Sequence, residues 1–466
     1  MRMKKLVCSL IAAGCLTPMI ASATNGYFSH GYGLKGKGRA GVSTAFTDDT
    51  FGGANNPAQM VWVGQRLDAG IDWFRPIREA SRVGSNNFGT GNFDFSEESE
   101  NNDFLIPEFG YNMMISPTLS LGVTVYGNGG MNTTYESGAS LFGGGCRALG
   151  GANPANPLCG IGSLGVNLSQ LIIAPTLAWK FTEKHSVGIS PLFGYQRFKS
   201  YGLQPFAAIS SYPPSVLTNP GTDDAWGVGV RVGWLGKFTD TVSVGAAYSS
   251  KIYMDEFDKY RGLFAGQGDF DIPANLNVGV KWDVLPALTV GFDYQRIWYN
   301  DVDSVGNPSN PPGCIPSTFA TGTGFGPGVG FACLGASDDS IGFGWQDIDI
   351  YKLGVEYQVN EKWRVRAGYS HTDQPIESRD VTFNILAPGV IEDHVTLGFT
   401  YALDQASEVT VSYMHGFENS VSSTPVPVTL PGLGTVPANN PYFPAGGIET
   451  ITMHQDSLGI AYSRKW

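Results

Sequence analysis

Scarcity narrows this sequence before any motif does. Only 15% of the 466 residues are charged, and the balance is acidic, with 29 Lys and Arg against 41 Asp and Glu for a net charge of −12. A chain with no basic patch has nothing with which to displace counterions from a polynucleotide, so nucleic acid is not an expected partner. Beyond about residue 16, no apolar run reaches the roughly 18 residues that a membrane-crossing helix needs. If the chain crosses a membrane, it must do so as a closed sheet, because hydrocarbon offers no partner to an unpaired peptide group. The six histidines, His30, His185, His371, His394, His415 and His454, fall into no HExxH or other metal spacing. There is no GxSxG and no CxxC. The expectation is therefore no metal, no cofactor and no enzyme.

What is abundant is glycine, at 62 residues, and aromatic side chains, at 12%. That composition suits many short strands flanked by aromatic girdles. The first residues read as an export signal. Arg2, Lys4 and Lys5 precede an apolar run from Leu6 to about Leu16, and Ala21-Ser22-Ala23 has the small-residue cleavage pattern. Residues 1–23 are thus expected to be a signal peptide. A lipoprotein site at Gly14-Cys15 is the lesser alternative, since Ala12 stands where a larger aliphatic is usual. Removing residues 1–23 takes away three basic residues and no acid, leaving 26 against 41 and a net of −15. Four cysteines then remain: Cys146, Cys159, Cys314 and Cys333. They allow three pairings. Closure of short loops in an oxidising compartment favours Cys146–Cys159 and Cys314–Cys333.

Two-residue alternation recurs along the chain. Leu288, Val290, Phe292 and Tyr294 alternate with Thr289, Gly291, Asp293 and Gln295. Trp226, Val228, Val230, Val232 and Trp234 alternate with glycine and Arg231, and Tyr351, Leu353, Val355 and Tyr357 alternate with Lys352, Gly354 and Glu356. In each run one set suits lipid and the other a lumen. About fourteen such segments are expected, near 64–79, 102–114, 118–130, 164–181, 184–202, 223–238, 240–254, 270–283, 286–301, 345–360, 362–374, 391–404, 406–420 and 451–466. Connections alternate between short turns, such as Ser116-Pro117 and Asn360-Glu361, and long loops, such as 131–163 and 302–344. Short inner turns and long outer loops are the asymmetry of an outer-membrane barrel. The fold class expected is all-β: a 14-stranded antiparallel transmembrane barrel over 64–466. Pro107, Pro175, Pro191 and Pro273 mark possible interruptions of its wall. The last strand ends on Tyr462, Arg464 and Trp466. This resembles the aromatic carboxyl-terminal signal read by barrel-assembly machinery, in which Phe is the commoner last residue.

Residues 24–63 lack strict alternation and precede the first strand. Within them Gly38-Arg39-Ala40, Asp48-Asp49 and Asn56-Pro57-Ala58 occur in order. This succession resembles the amino-terminal hatch of the long-chain fatty acid transporters and toluene channels of the outer membrane, the FadL/TodX-like family. Gln59-Met60 departs from the family's more usual Gly-hydrophobic step. The motif covers about 25 residues; the strand count and terminal aromatic extend the likeness over nearly the whole chain. The resemblance implies a small hatch (24–63) plugging the barrel, capture of hydrophobic molecules among outer loops, a buried pocket near the hatch, a lateral exit, and a monomer. Passage would be passive, most simply of long-chain fatty acids, with aromatic or alkane hydrocarbons as the alternative. The expected surroundings are outer-membrane lipids and lipopolysaccharide.

Candidate substrate contacts follow. Phe28, His30 and Tyr32 lie in the hatch, though packing against the wall explains them equally well. Phe142 and Phe206, with Leu141, Leu149, Ile209 and Tyr212, are apolar residues in loops expected to face the medium, where they suit a capture groove or mere loop packing. Arg231, Arg364 and Arg366 point into the lumen by parity and suit either a carboxylate or a structural ion network; Lys352 and Glu356 also point inward and suit one another. Asp48-Asp49 reads as a latch to lumen bases or as a turn. Gly31-Tyr-Gly33-Leu-Lys-Gly36 fits GxGxxG, but no strand precedes it, so it reads as flexible backbone. Rival functions are a surface adhesin or receptor barrel, a barrel phospholipase, for which no Ser–His pair can be placed, and a general porin.

Overall fold

A computed structural model describes residues 25–85, 94–136, 155–210, 212–309, 333–335, 337–424, 426–430, 434–438 and 447–466. Fourteen strands form one antiparallel sheet that closes on itself. They are β1 (Arg66–Val83), β2 (Phe104–Ser116), β3 (Leu119–Asn132), β4 (Gly165–Lys180), β5 (His185–Tyr201), β6 (Asp223–Lys237) and β7 (Val242–Ser249). The second half comprises β8 (Asn275–Leu285), β9 (Leu288–Ile297), β10 (Ile348–Gln358), β11 (Trp363–Thr372), β12 (Asp393–Ala402), β13 (Ser407–Ser422) and β14 (Ile448–Lys465). Each strand pairs with its sequence neighbours, and β1 closes on β14 from Arg66↔Lys465 to Val83↔Ile448.

Alternation sets the two faces. On β10, Tyr351, Leu353 and Tyr357 are exposed while Ile350, Lys352 and Glu356 are buried. Trp226, Val228, Val230 and Val232 on β6 are exposed in the same way. A ring of exposed large apolar side chains would be a liability in water and matches a lipid-facing band. All fourteen expected segments are present, and most differ from expectation by only a few residues. The expected strands 240–254 and 270–283 overran. Regular pairing ends at Ser249: the Ser250 amide still donates to Val230 O at 2.9 Å, but the Ser250 hydroxyl accepts from Val230 N at 3.0 Å. Ile252 then turns inward and bridges Ile272, and Tyr253–Met254 rejoins β6 beside Gly227 and Val228. The expected loop 421–450 also contains a separate hairpin, Val426–Leu430 with Gly434–Ala438.

The wall has a gap between the upper halves of β2 and β3. β2 and β3 are in register only from Ser116↔Leu119 up to Phe109↔Val125. Above that, Phe104–Glu108 pair with β1 alone and Tyr126–Asn132 with β4 alone. Pro107, which has no N–H to give, sits at this gap, and β3 carries an extra residue between Gly127 and Gly129. The unpaired edge of β3 is covered by the amino-terminal segment: Ser29 N donates to Asn128 O (3.0 Å), and Gly130 N to Tyr27 O (3.2 Å). Pro175 and Pro191 interrupt the β4–β5 ladder opposite one another, between Ile173↔Phe193 and Leu177↔Ile189. Pro273 lies before β8.

The outer loops overturn one expectation. Phe206 and Ile209 are buried, at 2% and 3% exposure, rather than facing the medium. Phe206 packs edge-on against Phe383 at 5.8 Å, because the loops fold over the barrel and bury their apolar side chains against each other. Cys159 and Cys333 are buried there too. Phe142, Leu141, Leu149, Cys146, Cys314 and residues 1–23 lie outside the described residues.

Residues 25–63 lie inside the barrel and are buried almost throughout. Wall glycines make room for them. A Cβ added at Gly188, Gly233, Gly245, Gly354 or Gly368 would come within 3.0 Å of Pro57, Asn56, Thr44 or Arg39. At these inward positions glycine is a notch for another backbone to enter. Overfilling a packed site costs about 1–3 kcal/mol. Gly245→Leu is therefore expected to leave a heat-modifiable barrel on gels while exposing residues 25–63 to protease. Wild-type protection in that variant would contradict the notch.

Candidate functional site

The inner segment contains a short helix, α1 (Leu34–Lys37), and a 3-10 turn at Pro57–Trp62. Asn56-Pro57-Ala58 forms the start of that turn. Proline's fixed φ suits the first position, and the Asn56 side chain accepts from Ala58 N at 3.1 Å. The side-chain Nδ2 of Asn56 donates to Thr44 O and to Trp234 O on β6, each at 2.9 Å, so one residue caps the turn and pins it to the wall. Opposite, Asp293 of β9 accepts from the amides of Ser43 and Thr44 at 2.8 and 2.9 Å.

Charge fixes the rest. Arg39 is fully buried and sits between Asp48 and Glu356 of β10, 2.7 Å from each. Burial opposes its charge, but these two carboxylates more than offset that and push its pKa upward. Glu356 also takes Arg366 at 2.7 Å and Arg364 at 3.4 Å. Arg364 and Arg366 are thus committed to a structural network. Lys35 bonds Glu408 of β13 at 2.6 Å, and Glu408 also takes Arg66. Lys37 bonds Asp72 of β1 at 2.6 Å. The expected Lys352–Glu356 pair does not form. Four residues apart on one strand, the two are about 13 Å from each other, and Lys352 instead donates to Gln295 at 2.8 Å and His30 O at 3.2 Å.

The acidic pair divides its work. Asp48 is held well below the usual carboxylate range, because Arg39 and Lys35 outweigh its burial. Asp49 accepts from Phe51 N at 2.9 Å, a local turn. Its burial, together with Asp48 and Asp68, pushes its carboxyl up to about 7. Gly38 approaches Gly398 of β12, and Ala40 N donates to Thr396 at 2.9 Å.

Beside this segment lies a cleft lined by Phe28, Tyr32, Asn55, Arg231, Gln295 and Lys352 among others. It has room for little more than a water molecule. Arg231 donates to Gly53 O at 2.7 Å and to Tyr126 at 3.2 Å, but no carboxylate among the described residues lies within 4.0 Å of Arg231 or Lys352. Both cations are buried, and the Arg231 Nε has no partner. His30 does not line the cleft. It stacks on His394 at 6.1 Å, and burial, then Lys37 and His394, lower its pKa so that it is neutral. Sequence reasoning had placed Lys352 inward but missed the acids that seat the segment: Asp68, Asp72, Glu108, Asp293 and Glu408. Their signal was available, since an acid at an inward strand position needs a partner in the lumen.

Asp49 gives a pH prediction. Its raised pKa means that its contribution to the seated state is full below its ordinary range, near 4, and is lost as pH rises through about 7. Hydrogen exchange of residues 30–60, corrected for intrinsic rate, is expected to loosen in the wild type relative to Asp49→Asn as pH goes from about 5 to 8. Parallel profiles for the two proteins would contradict this.

The sequence profile of the outer membrane protein transport protein family (OMPP1/FadL/TodX) matches residues 159–430. No curated protein sequence matches significantly. Among solved structures, the Pseudomonas putida toluene transporter TodX superposes with a TM-score of 0.63 at 18% identity, covering 95% of this chain and 100% of that one. The Ralstonia pickettii toluene transporter TbuX gives 0.59 at 18%, over 94% and 99%. A Pseudomonas aeruginosa FadL homologue gives 0.62 at 16%, over 96% and 100%. At such identities the superpositions show the fold, and the profile supplies the membership. This chain is an outer-membrane β-barrel and belongs to the outer membrane protein transport protein family, OMPP1/FadL/TodX.

Proposed function

We propose that this barrel passes hydrophobic molecules with an acidic head, long-chain fatty acids above all, inward across the outer membrane without chemical change. The observation that carries the reading is the pair of buried cations, Arg231 and Lys352, that line one cleft with no carboxylate within 4.0 Å among the described residues. A buried charge is costly unless it has a partner, and a carboxylate head would supply one while its tail gains about 0.8 kcal/mol per buried CH₂. Phe28 and Tyr32 offer the tail apolar surface at the same place.

In this reading residues 24–63 act as the hatch. Since Tyr27–Ser29 cover the free edge of β3 and Phe28 lines the cleft, one movement of the segment widens the cleft and uncovers the β2–β3 gap. Substrate would then leave sideways. Aromatic hydrocarbons are the second reading. It is favoured by Tyr27, Tyr299 and Trp345, whose rings lie 5.1–5.6 Å apart just beyond Phe28, and by the toluene transporters among the similar structures.

The remaining expectations complete the proposal: residues 1–23 act as an export signal, and the terminal aromatic is read by the assembly machinery of a monomeric barrel set among outer-membrane lipids and lipopolysaccharide. The pairings Cys146–Cys159 and Cys314–Cys333 belong to the same proposal; Cys159 and Cys333 are buried among the outer loops.

Lys352→Gln and Arg231→Gln are expected to lower oleate uptake by about tenfold or more, the worth of one charge-assisted hydrogen bond, and to spare toluene uptake. Equal loss of both would remove the acid-head reading. A Pro107→Cys/Gly127→Cys pair, cross-linked across the gap, is expected to stop uptake of either compound until reductant is added. Undiminished uptake in the cross-linked protein would rule out exit there.

A further inference from the structure

The lipid-facing surface carries a repeated unit that transport does not use. On β9, Tyr294 is followed at the next outward position by Arg296, and both bond Asp349 of β10, the tyrosine at 2.6 Å and the guanidinium at 3.0 Å to each oxygen. On β11, Tyr369 and His371 bond the same oxygen of Asp393 on β12, with His371 Nδ1 at 2.8 Å. On β13, Tyr413 and His415 bond the same oxygen of Asp456 on β14, at 2.6 and 2.9 Å. In all three, base and aspartate are direct cross-strand partners: Arg296↔Asp349, His371↔Asp393 and His415↔Asp456. The row continues past the closure, where Asp456 also faces Arg75 of β1. On the far side Arg197, two residues after Tyr195, faces Asp224 in register only.

These units share one level relative to the apolar band. On β12 the outward run Phe399, Leu397, Val395 gives way to Asp393, and on β14 Tyr462, Ile460, Leu458 gives way to Asp456. In each case the charge lies at the long-loop end, the side that faces the medium. Aromatic rings occupy the last apolar level, and acid–base pairs the first polar one. The pairs are open to their surroundings: His371 and Asp393 are 46% and 37% exposed, and His415 and Asp456 33% and 37%. With Nδ1 committed to the aspartate, each histidine presents Nε2 outward. The second oxygen of Asp393 and of Asp456 has no hydrogen bond among the described residues.

We propose that this belt is a docking surface for the phosphate-bearing headgroups of outer-leaflet lipids. Its bases meet the phosphates, and the free aspartate oxygens take the divalent cations that bridge one phosphate to the next. Charge complementarity argues for this occupant. A neutral headgroup would leave both signs idle, and an acyl chain cannot reach a level that begins where the apolar band ends. The bases supply charge-assisted bonds to phosphate oxygens, and a hard divalent cation prefers carboxylate and phosphate oxygen. The belt is distant from the cleft, so the proposal stands whether or not the transport reading does.

The test measures lipid retained by the full-length barrel, by native mass spectrometry after exchange into nanodiscs doped with diphosphorylated lipid A or its dephosphorylated form. The wild type is expected to retain the phosphorylated lipid at least tenfold better, and a chelator is expected to reduce that retention. Arg296→Gln/His371→Gln/His415→Gln should lose the preference, while His371→Arg/His415→Arg should keep it. Asp349→Asn/Asp393→Asn/Asp456→Asn should become indifferent to chelator. Equal retention of the two lipids by the wild type would overturn the proposal without recourse to any variant. So would full preference in the folded base triple, which would mean that the pairs only tie strands together.

Discussion

Hydrocarbon accepts no hydrogen bond, and that prohibition organises this molecule. A sheet in lipid cannot keep a free edge, so β1 must find β14, and eighteen register pairs join them. Once the ring is closed, its inner face needs a filling. Around residues 25–63 many inward residues are polar or glycine, and that segment supplies their partners. The gap between the upper halves of β2 and β3 is covered by that same filling. Closure of the ring and occupancy of the lumen are therefore two answers to one requirement.

The seating of the inner segment relies on buried charge. Arg39 with Asp48 and Glu356, Lys35 with Glu408, and Lys37 with Asp72 tie it to one arc of the ring, from β10 through β13 to β1. Ion pairs in such surroundings add little net stability, because desolvation offsets attraction, yet losing one partner is expensive. Such contacts define position well and allow few intermediate arrangements, which suits a plug that must be either seated or displaced. Arg231 and Lys352, which lie at the cleft, have no such carboxylate among the described residues.

The barrel was legible because strands in lipid obey a strict two-residue rule. β5, β6 and β10 were placed within a few residues by alternation alone. Where a strand stops depends on a neighbour, and so β7 was read too long: past Arg231↔Ser249 the Ser250 hydroxyl takes the Val230 amide, a contact with no local signal. Parity correctly turned Arg231, Arg366, Lys352 and Glu356 inward, but it carries no information on which of them meet. Glu356 serves Arg39, a residue more than three hundred positions earlier, and Lys352 is left to uncharged partners. The motif Asn56-Pro57-Ala58 marked the inner segment without disclosing that Asn56 both starts a turn and reaches Trp234. Phe206 was misjudged for the same reason, since only the folded loops reveal what covers it.

The missing side chains at Gly188, Gly233, Gly245, Gly354 and Gly368 turn the inside of the wall into a mould. A mould accepts only the shape cast in it. Relatives that share this architecture at under one-fifth identity would not be expected to exchange their plugs freely, and a chimera would have to carry its complement of glycines along with the transplanted piece. A substitution that fills one of these recesses would have to be matched by one in the segment that occupies it.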